Sequence, residues 1–265
     1  MQDALQIAAT GMQAQQLHVD TIANNLANVN TTGFKRARVS FHDLVTRVAD
    51  ASVAGTASTP AARALDAAQH AGVGVGVASV ARQFDGGELR RTESMYDLAI
   101  AGEGFIEVAM PDGTRAFTRG GTLRVNADGL LATGAGHALA GAIAVPEGTE
   151  SLLVDAEGRV QGRLHGQSRP VDLGMLNLVR FMAPGALSVA GDGLYRPTEQ
   201  SGEPIGGRAG EHGLGTFKQA HLEGSNVKMV DEMVGLMVAQ RAYEASVNVA
   251  RAADEMLGMV NNLRK

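Results

Sequence analysis

Histidines and acidic residues are the side chains of this sequence that could do metal or acid–base chemistry. The chain of 265 residues has seven His and no Cys, which excludes disulfides and thiolate chemistry. The histidines show none of the spacings that are typical of metal ligands. We therefore expect structural or surface roles for His18, His42, His70, His137, His165, His212 and His221. The sequence predicts no metal site and no cofactor.

Two further patterns resemble enzyme motifs only in part. Gly72-x-Gly-x-Gly76 is not the dinucleotide fingerprint, because Val77 and Ser79 stand where the last glycine would be sought. We expect a strand or turn there. Glu103 and Glu107 are the carboxylates that a cell-wall glycan hydrolase would use, but nothing in their spacing is diagnostic. Such a hydrolase is the alternative from another class, and the favoured prediction is a protein that is not an enzyme.

The charged residues point to contacts between proteins or to solvated surfaces. The pairs Asp231-Glu232 and Asp254-Glu255 fall on a predicted helix, where solvated faces or salt bridges between subunits are expected. The basic run Lys35, Arg36 and Arg38 either binds a phosphate or acidic neighbour or forms a solvated loop. The net charge of −5 gives no footprint for nucleic acid.

A long helix is predicted at the start of the chain, from about Asp3 to Asn28. Apolar residues recur there at the alternating spacing of three and four that a coiled-coil seam requires. Asn24, Asn25 and Asn28 near its end either cap the helix or bind neighbouring subunits and fix their register. The seam starts at Leu5, and its apolar residues need a partner to bury them.

A second long helix is predicted from about Asn226 to Leu263, with Ser225 or Asn226 as its cap. Its apolar residues form two stripes, which indicates neighbours on more than one side. The predicted assembly seam of the two helices is Leu5, Met12, Val19, Ile22, Leu26, Val29, Met229, Met233, Leu236, Tyr243, Val247, Met256, Leu257 and Val260.

Between the helices the pattern changes to short strands and turns. Residues 51–70 read as an extended or mobile loop, and strand-like sequence begins at Gly72. Three turn signals then separate short apolar runs, at 111–113, 126–129 and 155–158, as in an antiparallel β domain. The predicted fold is a multidomain α+β protein, with long terminal α-helices that form a coiled-coil core domain and an antiparallel β-rich middle domain.

The predicted domain division follows these changes of pattern. Residues 1–32 with 224–265 form the core domain, 33–72 an extended connector, and 73–223 an outer β-rich domain. The first ten residues lack the basic and apolar regions of a cleaved secretory signal. No run reaches the roughly 20 apolar residues of a membrane span. Taken alone, these features predict a cytoplasmic protein, unless export uses an uncleaved signal.

Runs at both ends of the chain resemble the signatures of the bacterial flagellar rod and hook proteins. They are Ile22–Lys35, Leu222–Val227, Gln240–Glu244 and Ala253–Leu257. The signature residues are Asn24, Asn25, Leu26, Asn28, Thr32, Gly33, Phe34, Lys35, Ser225, Asn226, Val227, Gln240, Arg241, Tyr243 and Glu244. Asp97–Ile106 and Phe117–Val125 also resemble runs shared across this family.

The resemblance is greatest to the distal-rod members, through Leu176–Phe181, Gly193–Tyr195 and the overall length. It is weakest from Ala51 to Gln69, where distal rod, proximal rod and hook proteins differ. A proximal rod or hook-like protein therefore stays open as the alternative within the family.

The resemblance implies a structural, self-assembling subunit of the basal-body rod, the helical drive shaft that transmits torque through the periplasm to the hook. It implies export by the flagellar type III apparatus without a cleaved signal. Terminal helices would line the tube and β domains would lie outside them. The expected partners are further copies of the chain, proximal rod proteins, the hook protein and the surrounding ring bushing.

Overall fold

The computed structural model describes residues 2–47, 70–166 and 169–262. These residues divide into two compact units. The first unit contains 2–26, 37–47, 70–81 and 229–262, and the second contains 27–36, 82–166 and 169–228. The predicted loop at 51–70 lies outside the described residues, except for His70.

The first unit contains two helices and a two-stranded sheet. Helix α1 spans Gln2–Ala27 and helix α2 spans Met229–Asn262, so both long helices were predicted correctly. Strands β1 (Ala37–Arg47) and β2 (His70–Arg82) pair with each other. The type of the segment after α1 could not be decided from sequence, and β1 occupies it. The strand expected from Gly72 onward is β2.

Three pairs of neighbouring residues show that α1 and α2 run antiparallel where they contact each other. The pairs are Asn25 with Glu232, Ile22 with Gly235, and Gly11 with Ser246. The residue numbers fall along α1 as they rise along α2. A β-carbon at Gly235 would lie 3.5 Å from Ile22 Cδ1, and one at Gly11 would lie 3.5 Å from Ser246 Oγ. The helices therefore approach each other through glycine, serine and polar residues.

The predicted coiled-coil core domain was wrong. A coiled coil needs large apolar residues that interdigitate at its seam, but the buried positions on these helices are mostly small or polar. They are Ala8, Ala14, Thr21, Ile22, Asn25, Glu232, Ala239 and Ala253. The seam residues Met229, Met233, Tyr243 and Met256 are exposed instead.

The strands of the first unit pack against α1 through residues outside the predicted seam. The His18 ring packs edge-on against Phe41 of β1, with the ring centroids 5.7 Å apart. Gly74 of β2 lies so close to α1 that a β-carbon there would be 2.2 Å from Thr10 Oγ1. Helix α1 thus has a sheet as well as a helix for a neighbour, which a two-helix seam does not allow.

The second unit is built from short strands. They are β3 (Leu89–Arg91), β4 (Asp97–Ala101), β5 (Phe105–Ala109), β6 (Arg115–Thr118), β7 (Gly120–Val125), β8 (Leu131–Thr133), β9 (Thr149–Val154), β10 (Arg159–Leu164), β11 (Val171–Met175), β12 (Leu178–Arg180), β13 (Ser188–Gly191), β14 (Leu194–Arg196), β15 (Ile205–Gly207), β16 (Thr216–Gln219) and β17 (His221–Glu223). A single 3₁₀ turn, Pro184–Ala186, precedes β13 within the described part of the unit.

These strands form four sheets with antiparallel pairing. The strand orders are β13-β14-β6-β5-β12-β15, β16-β4-β7-β8, β11-β10-β9 and β17-β3. The three hairpins expected from the turn signals are β5–β6, β7–β8 and β9–β10, and all three are confirmed. The β-rich middle of the chain was therefore predicted correctly.

Two predicted boundaries differ from the structure. The run from Met175 to Met182 was predicted as one strand, but β11 ends at Met175 and β12 begins at Leu178. Helix α2 begins at Met229 rather than Asn226. Asn226 cannot cap it, because its side chain bonds the backbone of Arg36 and Gln83 instead.

Two apolar clusters fill the second unit. The larger joins buried Leu, Ile, Val, Ala and Phe side chains between Leu98 and Phe217. The smaller is aromatic, and Phe105, Phe117, Phe181 and Tyr195 meet there in edge-to-face pairs. Such pairs add about 0.5–1.5 kcal/mol beyond the burial of their area. This unit therefore has an apolar core of its own.

Candidate functional site

Helix α2 exposes most of its apolar residues. Among the residues of this helix whose burial the structure describes, Glu232, Ala239 and Ala253 are buried, whereas Val230 is 72% exposed and Val238 is 62% exposed. The other exposed apolar residues of this helix are Met229, Met233, Val234, Met237, Tyr243, Val249, Met256 and Met259. We call these ten residues the α2 apolar surface. Large apolar side chains left exposed in number on one element mark an interaction site.

The remaining predicted seam residues differ in burial. Ile22 is buried, whereas Leu5, Met12, Val19, Leu26, Leu236, Val247 and Leu257 are half-buried. Val29 follows the end of α1, is half-buried and belongs to the second unit. Val260 lies within α2. The structure thus places the predicted seam partly in the interior of the first unit and partly on its surface.

Asn25 is a buried polar residue of the first unit and joins three of its elements. Its amide nitrogen donates to the carbonyl oxygen of Ala37 at 2.9 Å and to Glu232 Oε2 at 3.2 Å. Its amide oxygen accepts from the backbone N–H of Ala37 at 2.9 Å. Both donors are used within the chain, so this geometry does not support the hypothesis that Asn25 bonds a neighbouring subunit. Glu232 is likewise buried rather than solvated.

A second buried polar site lies in the second unit, where Lys35, Arg119 and Glu223 form what we call the charge cluster. Lys35 Nζ lies 2.7 Å from Glu223 Oε1, and Arg119 Nε lies 3.2 Å from Glu223 Oε2. The Lys35 side chain is 0% exposed, and those of Arg119 and Glu223 are 4% and 3% exposed. Such deep burial of three charges requires that their hydrogen-bonding groups be satisfied.

Backbone groups complete the charge cluster. Lys35 Nζ also donates to the carbonyl oxygen of Asp85 at 2.7 Å. Arg119 donates to the carbonyl oxygens of Gly104 at 2.7 Å and Gly102 at 2.8 Å. Glu223 Oε1 accepts a further bond from the N–H of Gly87 at 2.9 Å. The cluster is therefore held by bonds from several parts of the unit.

The electrostatics of the cluster follow from two cations around one anion. Burial would raise the pKa of Glu223, but the charges and hydrogen bonds of Arg119 and Lys35 outweigh burial and hold this pKa below its ordinary value. Burial lowers the pKa of Lys35, and the Glu223 carboxylate offsets only part of that effect. Arg119 adds to the lowering because it is a like charge.

The signature residues beside the cluster are held by backbone bonds. The N–H of Gly33 donates to the carbonyl oxygen of Glu223 at 2.7 Å. The guanidinium of Arg82 lies over the Phe34 ring, 5.2 Å from its centroid. Ser225 Oγ accepts from the N–H of Val227, which is buried. Thr32 is exposed.

The other signature residues lie at the surface or at the end of α1. Gln240, Arg241 and Glu244 are exposed on α2. Asn24 is exposed on α1, and Asn28 Oδ1 accepts from Thr31 Oγ1 at 3.1 Å. The Asn28 contact fits the expected role at a helix end, because it lies in the turn that follows α1.

The basic run at 35–38 is not one patch. Lys35 belongs to the buried cluster, Arg36 donates from Nε to Gln83 Oε1, and Arg38 is exposed. Glu107, considered for glycan hydrolysis, faces Arg115 at 3.8 Å, and Glu103 is exposed. The described residues contain no group of three or more His, Asp or Glu side chains placed to hold a metal ion.

Arg119 was missed as a site residue from the sequence, where it appeared only inside a family run. One signal was available: a charged residue stands between the apolar strand 115–118 and two glycines. The role of Glu223 was also missed, since its partner Lys35 lies 188 positions away. None of the helices in the described ranges is long and apolar enough to cross a bilayer.

Three family models match this chain. "Flagella basal body rod protein" matches residues 5–35, "Flagellar hook protein FlgE/F/G D1 domain" matches 99–162, and "Flagellar basal body rod FlgEFG protein C-terminal" matches 218–263. The flagellar basal-body rod protein FlgG of Borreliella burgdorferi is 40% identical over 100% of both chains. The chain belongs to the flagellar basal-body rod family.

Two relatives from Caulobacter vibrioides refine the comparison. The flagellar basal-body rod protein FlgG of that organism is 38% identical over 98% of this chain and 99% of its own. Its flagellar basal-body rod protein FlgF is 32% identical over 98% of this chain and 100% of its own. These relatives are structural proteins, and this chain is a structural rod subunit of the flagellum that assembles with other rod and hook components in the basal body.

The three residues of the charge cluster lie in three different family-model matches. Lys35 lies in the N-terminal match, Arg119 in the D1-domain match and Glu223 in the C-terminal match. Each of the three matched regions of this rod-family chain thus contributes one residue to the cluster. The α2 apolar surface lies within the C-terminal match.

Proposed function

We propose that this chain is the distal-rod subunit of the flagellar basal body. The observation that carries the proposal is the full-length likeness to FlgG proteins, which are the distal-rod members of the family. Within Caulobacter vibrioides the likeness to FlgG, at 38%, exceeds that to FlgF, at 32%. This order favours the distal rod over the proximal rod. In this role the polymer transmits torque from the motor to the hook.

The α2 apolar surface is the proposed contact between copies of the chain. Burying one large apolar side chain contributes about 1.5–3 kcal/mol, and ten such residues lie exposed on this helix. A helical polymer repeats the same contact between successive copies, so the free energy gained repeats along the tube. Exposed Met side chains suit such a contact because they adapt to irregular neighbours.

The remaining parts of the proposal come from the family resemblance. The chain is exported by the flagellar type III apparatus without a cleaved signal and polymerises in the periplasm. Its neighbours in the basal body are proximal rod proteins, the hook protein and the ring bushing.

Deletion and complementation test this proposal. Removal of the gene from its bacterium should abolish motility and leave basal bodies that lack the distal rod and hook in electron micrographs. The wild-type gene should restore both. Basal bodies that end before the proximal rod would indicate the alternative position in the family, and full motility without the gene would contradict the proposal.

A further inference from the structure

We propose that Lys35, Arg119 and Glu223 act as an ionic lock that orders the segment after α1 and the segment before α2 together. The first segment is 33–36 and the second is 223–226, and both belong to the second unit. When the lock is closed, both segments are fixed against 82–87. When the lock is open, both segments are released while the apolar core stays folded.

Mutual dependence of the three side chains is the first basis for the lock. The Glu223 carboxylate accepts bonds from Lys35, from two nitrogens of Arg119 and from the N–H of Gly87. Removing one member of a buried ionic group leaves the others charged, buried and poorly compensated. The three side chains are therefore stable in this place only as a group.

Backbone bonds between the same segments are the second basis. Gly33 donates to the carbonyl oxygen of Glu223 at 2.7 Å, and Asn226 donates to that of Phe34 at 3.4 Å. The Asn226 side chain accepts from the N–H of Arg36 at 2.7 Å and donates to the carbonyl oxygen of Gln83 at 2.8 Å. The bonds interleave the two segments, so one cannot leave without breaking the bonds of the other.

Close approach at Gly87 adds a steric part to the lock. A β-carbon at Gly87 would lie 2.1 Å from the carbonyl oxygen of Gly224. The chain can pass this close only because Gly87 lacks a side chain. Segment 82–87 therefore packs closely against 223–226, with no room for a side chain at Gly87.

The lock is separable from the apolar core. The buried residues of both apolar clusters lie between Leu98 and Phe217, so segments 33–36 and 223–226 supply none of them. Opening the lock therefore costs polar bonds and ion pairs and releases 33–36 and 223–226, whereas Phe84 of segment 82–87 stays packed edge-on against Phe105 and Tyr195 of the smaller cluster. Local opening of this kind is a recognised mode of native-state motion.

Amide hydrogen exchange on the full chain, with Glu223→Gln compared with Glu88→Gln, tests the proposal. Glu88 is the matched control, because it lies close to the same segments and its side chain is 75% exposed in a surface pair with Arg90. In Glu223→Gln we expect the amides of Gly33, Gly87 and Asn226 to exchange on the order of 100-fold faster together. The same loss of stability also speeds core amides that exchange only on global unfolding, but amides such as that of Ile106 should stay far better protected than those of Gly33, Gly87 and Asn226, and Glu88→Gln should change none of these rates.

Several outcomes would overturn the lock. Faster exchange in only one of the two segments would show that they are not coupled. Protection of Gly33, Gly87 and Asn226 equal to that of Ile106 in both proteins would show that they exchange only on global unfolding and not by a local opening, and no change in any rate would remove any role for the carboxylate. If Glu223→Gln does not fold, Lys35→Met replaces it, because Arg119 and Glu223 remain paired; a smaller but joint increase in both segments is then expected, and an increase in one alone contradicts the lock.

Discussion

The two units of this chain bury different kinds of side chain. The second unit has two apolar clusters and a group of buried charges that hydrogen-bond one another. The first has small and polar residues at the buried positions of its helices, and its large apolar residues lie outside on α2. A chain that must fold and also polymerise can separate the tasks in this way. The second unit supplies folding free energy, and under the proposed function the first keeps apolar surface for neighbouring subunits.

Loss of an aromatic core residue should give the largest effect. Phe117 is fully buried and packs edge-on against Phe181, with the ring centroids 4.9 Å apart. Phe117→Ala should lower the free energy of unfolding by about 3–5 kcal/mol, because a large cavity remains. Urea unfolding measures this change. The control is Val238→Ala on the α2 apolar surface, for which a change within about 0.5 kcal/mol is expected; equal effects would remove the contrast between the units.

Loss of the Glu223 carboxylate should be the next largest effect. Glu223→Gln should lower the free energy of unfolding at pH 7 by about 3 kcal/mol, since two buried cations lose their anion. Urea unfolding of Glu223→Gln and Glu88→Gln measures the difference. A loss below about 1 kcal/mol for Glu223→Gln would contradict the energetic part of the account.

The Glu223 carboxylate also makes the free energy of unfolding depend on pH. The pKa of Glu223 is lowered from 4.5 in the folded chain, so below pH 4.5 the unfolded chain binds more protons at this group than the folded chain. Its stabilisation is fully present above pH 4.5 and is lost as the pH falls through the lower folded-state pKa. Urea midpoints between pH 6 and pH 3 should therefore fall more steeply for wild type than for Glu223→Gln. Parallel curves would show that Glu223 contributes nothing to the acid dependence.

Asn25→Ala should have an intermediate effect, confined to the first unit. It leaves the backbone N–H and carbonyl of Ala37 and the Glu232 carboxylate without their partner. We expect a loss of about 1–3 kcal/mol in the stability of α1 and β1, measured by hydrogen exchange at Ala37. The exposed residue Gln16 of the same helix gives the control Gln16→Ala. Unchanged protection at Ala37 would show that this bond network does not stabilise the unit.

Gly33→Ala should have a smaller effect that comes from the backbone alone. Gly33 has φ of +70°, and a β-carbon there would meet no atom within 4 Å. The left-handed conformation costs an L-residue about 1 kcal/mol, and urea unfolding should show a loss of that size. Gly86→Ala is the control, because that position has equal space and no positive φ. The same loss in both variants would contradict the conformational explanation.

Local patterns allowed much of the fold to be predicted. Both helices and all three hairpins depend on residue spacing and turn residues within short segments. The coiled coil failed because the heptad pattern of α1 showed neither that β1 and β2 would pack against this helix nor that the buried positions would be mostly small or polar. The charge cluster could not be found either, because its members lie in three distant parts of the chain. The family resemblance found the segments that hold all three residues, but it did not show that they meet.

The central claim is that the α2 apolar surface joins copies of the chain into a tube while each second unit folds by itself. Electron microscopy of purified, concentrated protein tests it directly, with wild type compared with Met233→Ser/Met237→Ser. We expect tubes from wild type and none from the double variant, with the urea midpoint of the variant unchanged within error. Tubes of equal number and length from both proteins would contradict the claim.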